Sequence, residues 1–176
     1  MNPSTLSIRG IYRDVLHKPR QGVVHDSGWV SNTIVSRFRV LLASFVKNQL
    51  PIHGLRHLAV GQGDPAWDSD GIPAPSDAST ALVQPYEDPI VAEDLEVEYL
   101  DIADEVQEDP SSRIQITAQL APGYPPPTGG LDTYPLREFG LFGELAGVPY
   151  MLNSIRHPVI HKNSAATLIR IVRLYF

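Results

Sequence analysis

The sequence predicts an α+β fold: mostly antiparallel β-sheet or sandwich, one long amphipathic helix near the N-terminus, and long Pro/Gly-rich loops. Alternating apolar and polar runs recur along the second half and are joined by turn residues rather than helices, which favours antiparallel pairing. A single stretch, residues 31–48, carries apolar residues at helical spacing. Two segments dense in proline and glycine interrupt the runs and exclude regular structure there. At 176 residues the chain suits one domain with a real core, spanning 1–176, and is too short for two comfortable ones.

The N-terminal part, 1–50, reads as a hairpin followed by the helix. In "SIRGIYRDVLHKPRQGVVHDSG", Lys18-Pro19-Arg20-Gln21-Gly22 forms a reversal between two strands, because proline and glycine together favour a turn. From Ser31 to Asn48, Ile34, Val35, Phe38, Leu41, Leu42, Phe45 and Val46 share one helical face. Ser31 or Asn32 can cap its start, Lys47 suits the negative end of the dipole, and Pro51 blocks continuation. "LRHLAVGQGD" is a strand that exits on Gly61-Gln62-Gly63, and "PAWDSDGIPAPSDAST" is an exposed irregular loop. "ALVQPY" resumes order.

"PIVAEDLEVEYLDI" alternates Leu95, Val97 and Tyr99 against Glu96 and Glu98, the period of a half-buried strand. "RIQITAQLAPG" alternates Ile114, Ile116, Ala118 and Leu120 against polar residues and is the clearest strand signal. "APGYPPPTGGLDTYP" cannot be regular structure, since its prolines remove donors. "LREFGLFG", "VPYMLNSIRHPVI" and "ATLIRIVRLYF" complete seven or eight strands. An end as apolar as Val172, Leu174 and Phe176 must be paired in a sheet or covered by another subunit.

The net charge of −6 hides a segregation. Residues 1–58 hold eight Lys or Arg against two acids, residues 59–112 hold fifteen Asp or Glu and no Lys or Arg, and the remainder is basic again. Such a chain attracts copies or partners of opposite local charge. The acidic middle and the lack of interleaved aromatics argue against nucleic acid. No apolar run reaches the roughly 18 residues of a membrane span and no leader opens the chain, so no membrane is expected. The absence of cysteine removes disulfides and thiolate ligands and suits a reducing compartment.

Candidate chemistry is sparse. Arg137 and Glu138 sit side by side in an apolar run; adjacent strand residues leave opposite faces, so they cannot act as a dyad. An inward charge needs a partner. The acidic middle offers carboxylates to Arg137, and Arg170 or Arg173 can answer Glu138. His157 and His161 have the spacing of a helical metal pair, but Pro158 lies between them and the flanks are β-like; His53 and His57 fare no better. "AVGQGDP" lacks the third glycine and the helix of a dinucleotide loop. "DSDG" is an incomplete calcium loop. No catalytic residue, cofactor or metal is expected. A sugar-binding module needs Trp29, Trp67 or Tyr124 exposed as a platform, and a metal-dependent hydrolase needs His157 and His161 to converge with carboxylates.

The order "HLAVGQGD", a Pro-rich loop, "STALVQPYEDPI", "RIQITAQL", "LREFGLFG" and "TLIRIVRLYF", from about His57 to Phe176, resembles the N-terminal, particle-proximal region of phage tail-fibre and tail-collar proteins. Departures are the hairpin and helix before residue 50, an acidic insertion around 93–112, "GLFG" for the usual Gly-Leu-Phe-Asp, and no fibre shaft after Phe176. The resemblance implies a non-catalytic structural protein of a phage tail baseplate, or of a related contractile injection system. It would be assembled in the host cytoplasm, partnered by baseplate proteins and a tail fibre, and homo-oligomeric with a trimer as the family's habit. Arg137, Glu138, Phe139, Leu141, Phe142, Arg170, Val172, Leu174 and Phe176 are the assembly candidates.

Overall fold

The computed structural model describes residues 7–176. Strand β1 (Arg9–Lys18) turns back into β2 (Gly22–Asp26), and two-residue strands β3 (Val30–Ser31) and β4 (Thr33–Ile34) lead into helix α1 (Ser36–Val46). Then follow β5 (Ile52–Gly61), the one-turn helix α2 (Trp67–Asp70), β6 (Ile90–Val91), β7 (Leu95–Leu100), β8 (Val106–Gln107) and β9 (Arg113–Leu120). The chain ends with β10 (Thr133–Leu145), β11 (Val148–Met151), β12 (Asn153–Asn163) and β13 (Thr167–Tyr175).

All pairings are antiparallel, in two sheets. A seven-stranded sheet runs β2-β1-β13-β9-β7-β8 with β3 beside β1, and a six-stranded sheet runs β4-β12-β10-β5-β6 with β11 beside β10. The strands curl into a half-barrel. In the first sheet alternate residues face inward, forming three rungs across β1, β13 and β9: Tyr12, Val172 and Ile116; Asp14, Arg170 and Ala118; Leu16, Leu168 and Leu120. The second sheet answers with Leu58, Val60, Leu136, Phe139, Leu141 and Ile155, all essentially buried. Tyr12 meets Phe139 edge-on across the interior at 5.4 Å. Each such side chain contributes about 1.5–3 kcal/mol by leaving water.

The α+β expectation with a long N-terminal helix is overturned. Strands make up 50% of the described residues and helices 11%, and α1 has 11 residues. Ser31, Thr33 and Ile34 are spent on strands instead: Ser31 pairs with Ile11, and Ile34 with Asn153. Thr33, Ile34 and Val35 are β-branched, stiff at χ1, and fit a pleated edge better than a helix start. Val35 precedes the helix in an extended conformation with no side-chain cap, so neither Ser31 nor Asn32 caps it. The apolar stripe is also only partly used. Phe38 and Leu41 are buried, whereas Phe45 is 70% and Val46 85% exposed.

The segment after Gly63 is for the most part the exposed irregular loop that its composition predicts, with one exception near its start. Its α2 turn docks on the sheet with Trp67 buried. Gly63 sits at φ 59° with the Trp67 ring packed where a β-carbon would be, so this position needs glycine for both backbone and space. The acidic stretch 93–112 supplies β7 and β8 at the free edge of the seven-stranded sheet. Among the described residues no helix is long and apolar enough to cross a membrane.

Candidate functional site

Charged side chains inside the sandwich dominate its chemistry. At the second inward rung, Arg170 Nε and Nη2 donate to Asp14 Oδ1 and Oδ2 at 2.7 and 2.8 Å, with both residues fully buried. Direct opposition of Asp14 and Arg170 on β1 and β13 fixes this geometry, and Ala118 on the other flank leaves room for the guanidinium. Its plane lies over the Phe139 ring at 3.7 Å, a cation–π contact strengthened by exclusion of water.

His157 of β12 reaches the same cluster from the opposite sheet. Glu138 pairs with Arg156 but Leu136 with Ile160, so three residues of β12 stand opposite the single Arg137. This bulge contains Pro158, which has no N–H to give a ladder, and it turns His157 inward. His157 Nδ1 lies 2.8 Å from the Pro158 carbonyl and Nε2 lies 3.0 Å from Arg170 Nη2. A neutral ring donating at Nδ1 and accepting at Nε2 satisfies both contacts. Burial, reinforced by the Arg170 charge and opposed by Asp14, brings its pKa down to about 4. Arg170 Nη1 is left without a hydrogen-bond partner.

Arg137 and Glu138 are both buried, since β10 is covered on both faces along nearly its whole length. Arg137 Nε and Nη2 donate to Asp68 Oδ1 and Oδ2 at 2.9 and 2.6 Å, and Nη1 donates to the Gln62 carbonyl at 3.0 Å. The guanidinium holds the Asp68 carboxyl below its usual range. Arg137 therefore takes an acid of its own chain, and it clamps α2 to the sheet. The expectation that Arg170 or Arg173 answers Glu138 fails. Arg170 is committed to Asp14, and Arg173 to Gln115 at 2.9 Å and Asp104 at 3.5 Å. Glu138 Oε2 and Oε1 instead accept the backbone N–H groups of Val83 and Gln84 at 3.0 and 2.7 Å.

Of the other assembly candidates, Phe139, Leu141, Val172 and Leu174 are core residues of this chain, and Phe142 is buried beneath the stacked His57 ring, 4.9 Å away. Phe176 is 40% exposed and packs edge-on against Phe38 at 5.7 Å.

The histidine pair does not converge. His157 is interior, whereas His161 is exposed beside Thr133. Among the described residues no group of three or more His, Asp or Glu is arranged to hold a metal. The three aromatic candidates are held in separate contacts, with Trp29 40% exposed. Trp67 is buried under Arg156, Trp29 lies 4.4 Å from the Arg173 guanidinium, and Tyr124 donates to the Asp88 carbonyl at 2.6 Å.

Sequence reasoning passed over Asp14 and Lys162. The signal for Asp14 was its phase: it occupies the inward position between Tyr12 and Leu16. Lys162 is fully buried, donates to the Ala121 carbonyl at 2.8 Å, and has its pKa brought down to about 8 by burial alone. Its charged form costs stability below that pH, and the cost fades as pH rises from about 8 towards the unfolded value of about 10.4. Lys162→Met should abolish this alkaline gain and leave neutral-pH stability unchanged within about 1 kcal/mol or raise it; urea melts at pH 7 and pH 9.5 would read it. Comparison of the chain with protein-family profiles, with curated proteins and with solved structures found no match.

Proposed function

We propose that the protein is a non-catalytic structural component of a phage tail baseplate, anchoring or connecting tail fibres. The observation that carries this reading is that three of the five segments bearing the tail-fibre resemblance, "HLAVGQGD", "STALVQPYEDPI" and "LREFGLFG", meet in the six-stranded sheet, while "RIQITAQL" and "TLIRIVRLYF" pair with each other in the seven-stranded one. "HLAVG" in β5 pairs with "LREFGLFG" in β10 through Glu138–Gly61, Phe139–Val60, Gly140–Ala59 and Leu141–Leu58. Strand β6, which starts at the isoleucine of "PI", pairs with the other edge of β5 through Ile90–Leu58 and Val91–His57. The segment between Thr80 and Tyr86 is fastened to the same unit by the Glu138 carboxylate. Gly61 permits this, since a β-carbon there would stand 2.7 Å from Glu138 Oε1 and 2.6 Å from the Gln84 carbonyl. Three segments separated in sequence thus form one interlocked part, as expected of a module selected as a unit.

The partners of this reading are baseplate proteins and a tail fibre, the site of action is the virion, and the chain is homo-oligomeric. Purified contractile particles from cells that encode the chain should contain it by mass spectrometry, and its deletion should give particles that lack fibres. Particles complete with fibres and devoid of the chain would overturn the proposal.

A further inference from the structure

Helix α1 does not close the sandwich end that it covers. Between it, β5 and the ends of β9 and β13 lies an open groove of about 600 Å³ whose wall includes Phe38, Leu42, Phe45, Leu50, Leu55 and Phe176. Phe45 and Leu50, 70% and 73% exposed, form its mouth. The volume is that of a ligand pocket, but such pockets orient small molecules by a few convergent polar groups, and here only Asn48 and His53 contribute polar side chains. An apolar side chain of a protein suits the groove better. Exposed Arg39 on α1 and Lys47 at its end flank the helix that roofs it with positive charge, while Arg56 on β5 is offset by Glu144 at 3.9 Å. Arg39 and Lys47 have no ion-pair partner among the described residues.

The chain also carries the complement. In the turn joining β7 to β8, Ile102 is 89% exposed, yet the loop that presents it is firmly tied. Asp101 Oδ1 accepts from the N–H groups of Ala103 and Glu105 at 2.7 and 3.0 Å. Arg113 Nη1 donates to the Ile102 carbonyl and to Asp104 Oδ1, each at 3.0 Å, and Tyr175 Oη donates to Asp104 Oδ2 at 3.1 Å. Around this knob Glu105, Glu108 and Asp109 are exposed and lack ion pairs among the described residues, and Val106 adds apolar surface at 55% exposure. A pre-ordered apolar side chain loses little entropy on docking, and an apolar centre ringed by charge has the anatomy of an interface hot spot.

We propose that the chain binds a second copy of itself, the Ile102 knob of one copy entering the apolar groove beneath α1 of the next, with the acidic flank of the knob against the basic rim of the groove. Charge complementarity selects the occupant: the knob is acidic, the rim basic, and both occur in every copy. Knob and groove are different patches, so each copy both gives and receives.

Sedimentation velocity of the full chain at micromolar concentrations should show concentration-dependent association that weakens with salt. Ile102→Asp, and separately Leu50→Asp on the groove side, should each raise the dissociation constant about 30-fold or more, the effect of a hot-spot residue. Both positions are exposed, so thermal melts should match the parent. Lys47→Glu and Glu105→Lys should each associate weakly alone, and mixing them should recover association between unlike copies. A parent that stays monomeric to its solubility limit, an Ile102→Asp protein that associates as tightly as the parent, or a charge-swapped mixture that stays apart would overturn the proposal. This contact does not rest on the virion reading: copies that associate in solution but are missing from particles would overturn that reading alone.

Discussion

Asp14→Ala should destabilise the protein by about 3–5 kcal/mol, the cost of leaving the other half of a buried ion pair unpaired. Arg170 has no exposed escape. It is fully buried, its Nη1 has no acceptor already, and its Nε and Nη2 would lose theirs. The Phe139 face and the His157 lone pair would remain, and neither neutralises a charge. The paired replacement Asp14→Leu with Arg170→Met should cost far less than Asp14→Ala alone, because it removes both charges rather than one. Guanidinium melts of the three proteins would check this. Equal losses from the single and the double variant would show that the pair contributes shape, not charge.

The same cluster sets an acid limit. His157 binds its proton with a pKa of about 4 when folded and about 6.5 when unfolded. Between those values the unfolded chain holds the extra proton, so stability falls as pH falls from about 6.5 to about 4 and levels off below. The loss is on the order of 3 kcal/mol at full extent. His157→Gln should flatten this part of the profile while leaving the steeper loss at lower pH, to which Asp68 contributes through its depressed carboxyl. Urea melts across the interval, parent against variant, would separate the two.

What could be read in advance follows from how each element is buried. Strands β9 and β13 are covered on one face, and their alternation, Ile116, Ala118, Leu120 and Leu168, Val172, Leu174, is the signature of that condition. Strand β10 is covered on both faces, so its apolar run has no period from which to assign Arg137 or Glu138 to a side. Those charges became interpretable only with the β12 bulge and the docked α2 in place. The helix is shorter than the periodicity predicts because Ile34 and Val35 fit the helical spacing, while the backbone of Ser31 is taken by β1 and that of Thr33 and Ile34 by β12. Composition likewise hid Trp67, whose neighbours are all loop formers. The groove beneath α1 was not legible at all, since a gap between elements is a property of their packing and not of any one segment.

Glu138→Ala should cost about 3 kcal/mol, because two charge-assisted hydrogen bonds are lost and two N–H groups are left without an acceptor. Unlike the Asp14 change, the damage should be local. Gln62 N–H still donates to the Gln84 carbonyl at 2.9 Å, Tyr86 N–H to the Val60 carbonyl at 2.8 Å, and Gly61 still bridges Pro85. Hydrogen exchange at Val83 and Gln84 should therefore accelerate about 100-fold, the kinetic equivalent of that loss, with β9 and β13 changed only as far as global stability falls. Glu138→Gln should lie between, since an amide can accept one of the two bonds while its own N–H faces the second donor. Gly61→Ala gives an independent route to the same joint, because the added methyl would displace both the Gln84 carbonyl and the Glu138 carboxylate. Its cost should shrink in the Glu138→Ala background, where only the carbonyl remains to be displaced, and a double-mutant cycle would measure that coupling. Strict additivity would mean that the carboxylate does not hold the segment to β10, and the interlock on which the proposed module rests would lose its fastening.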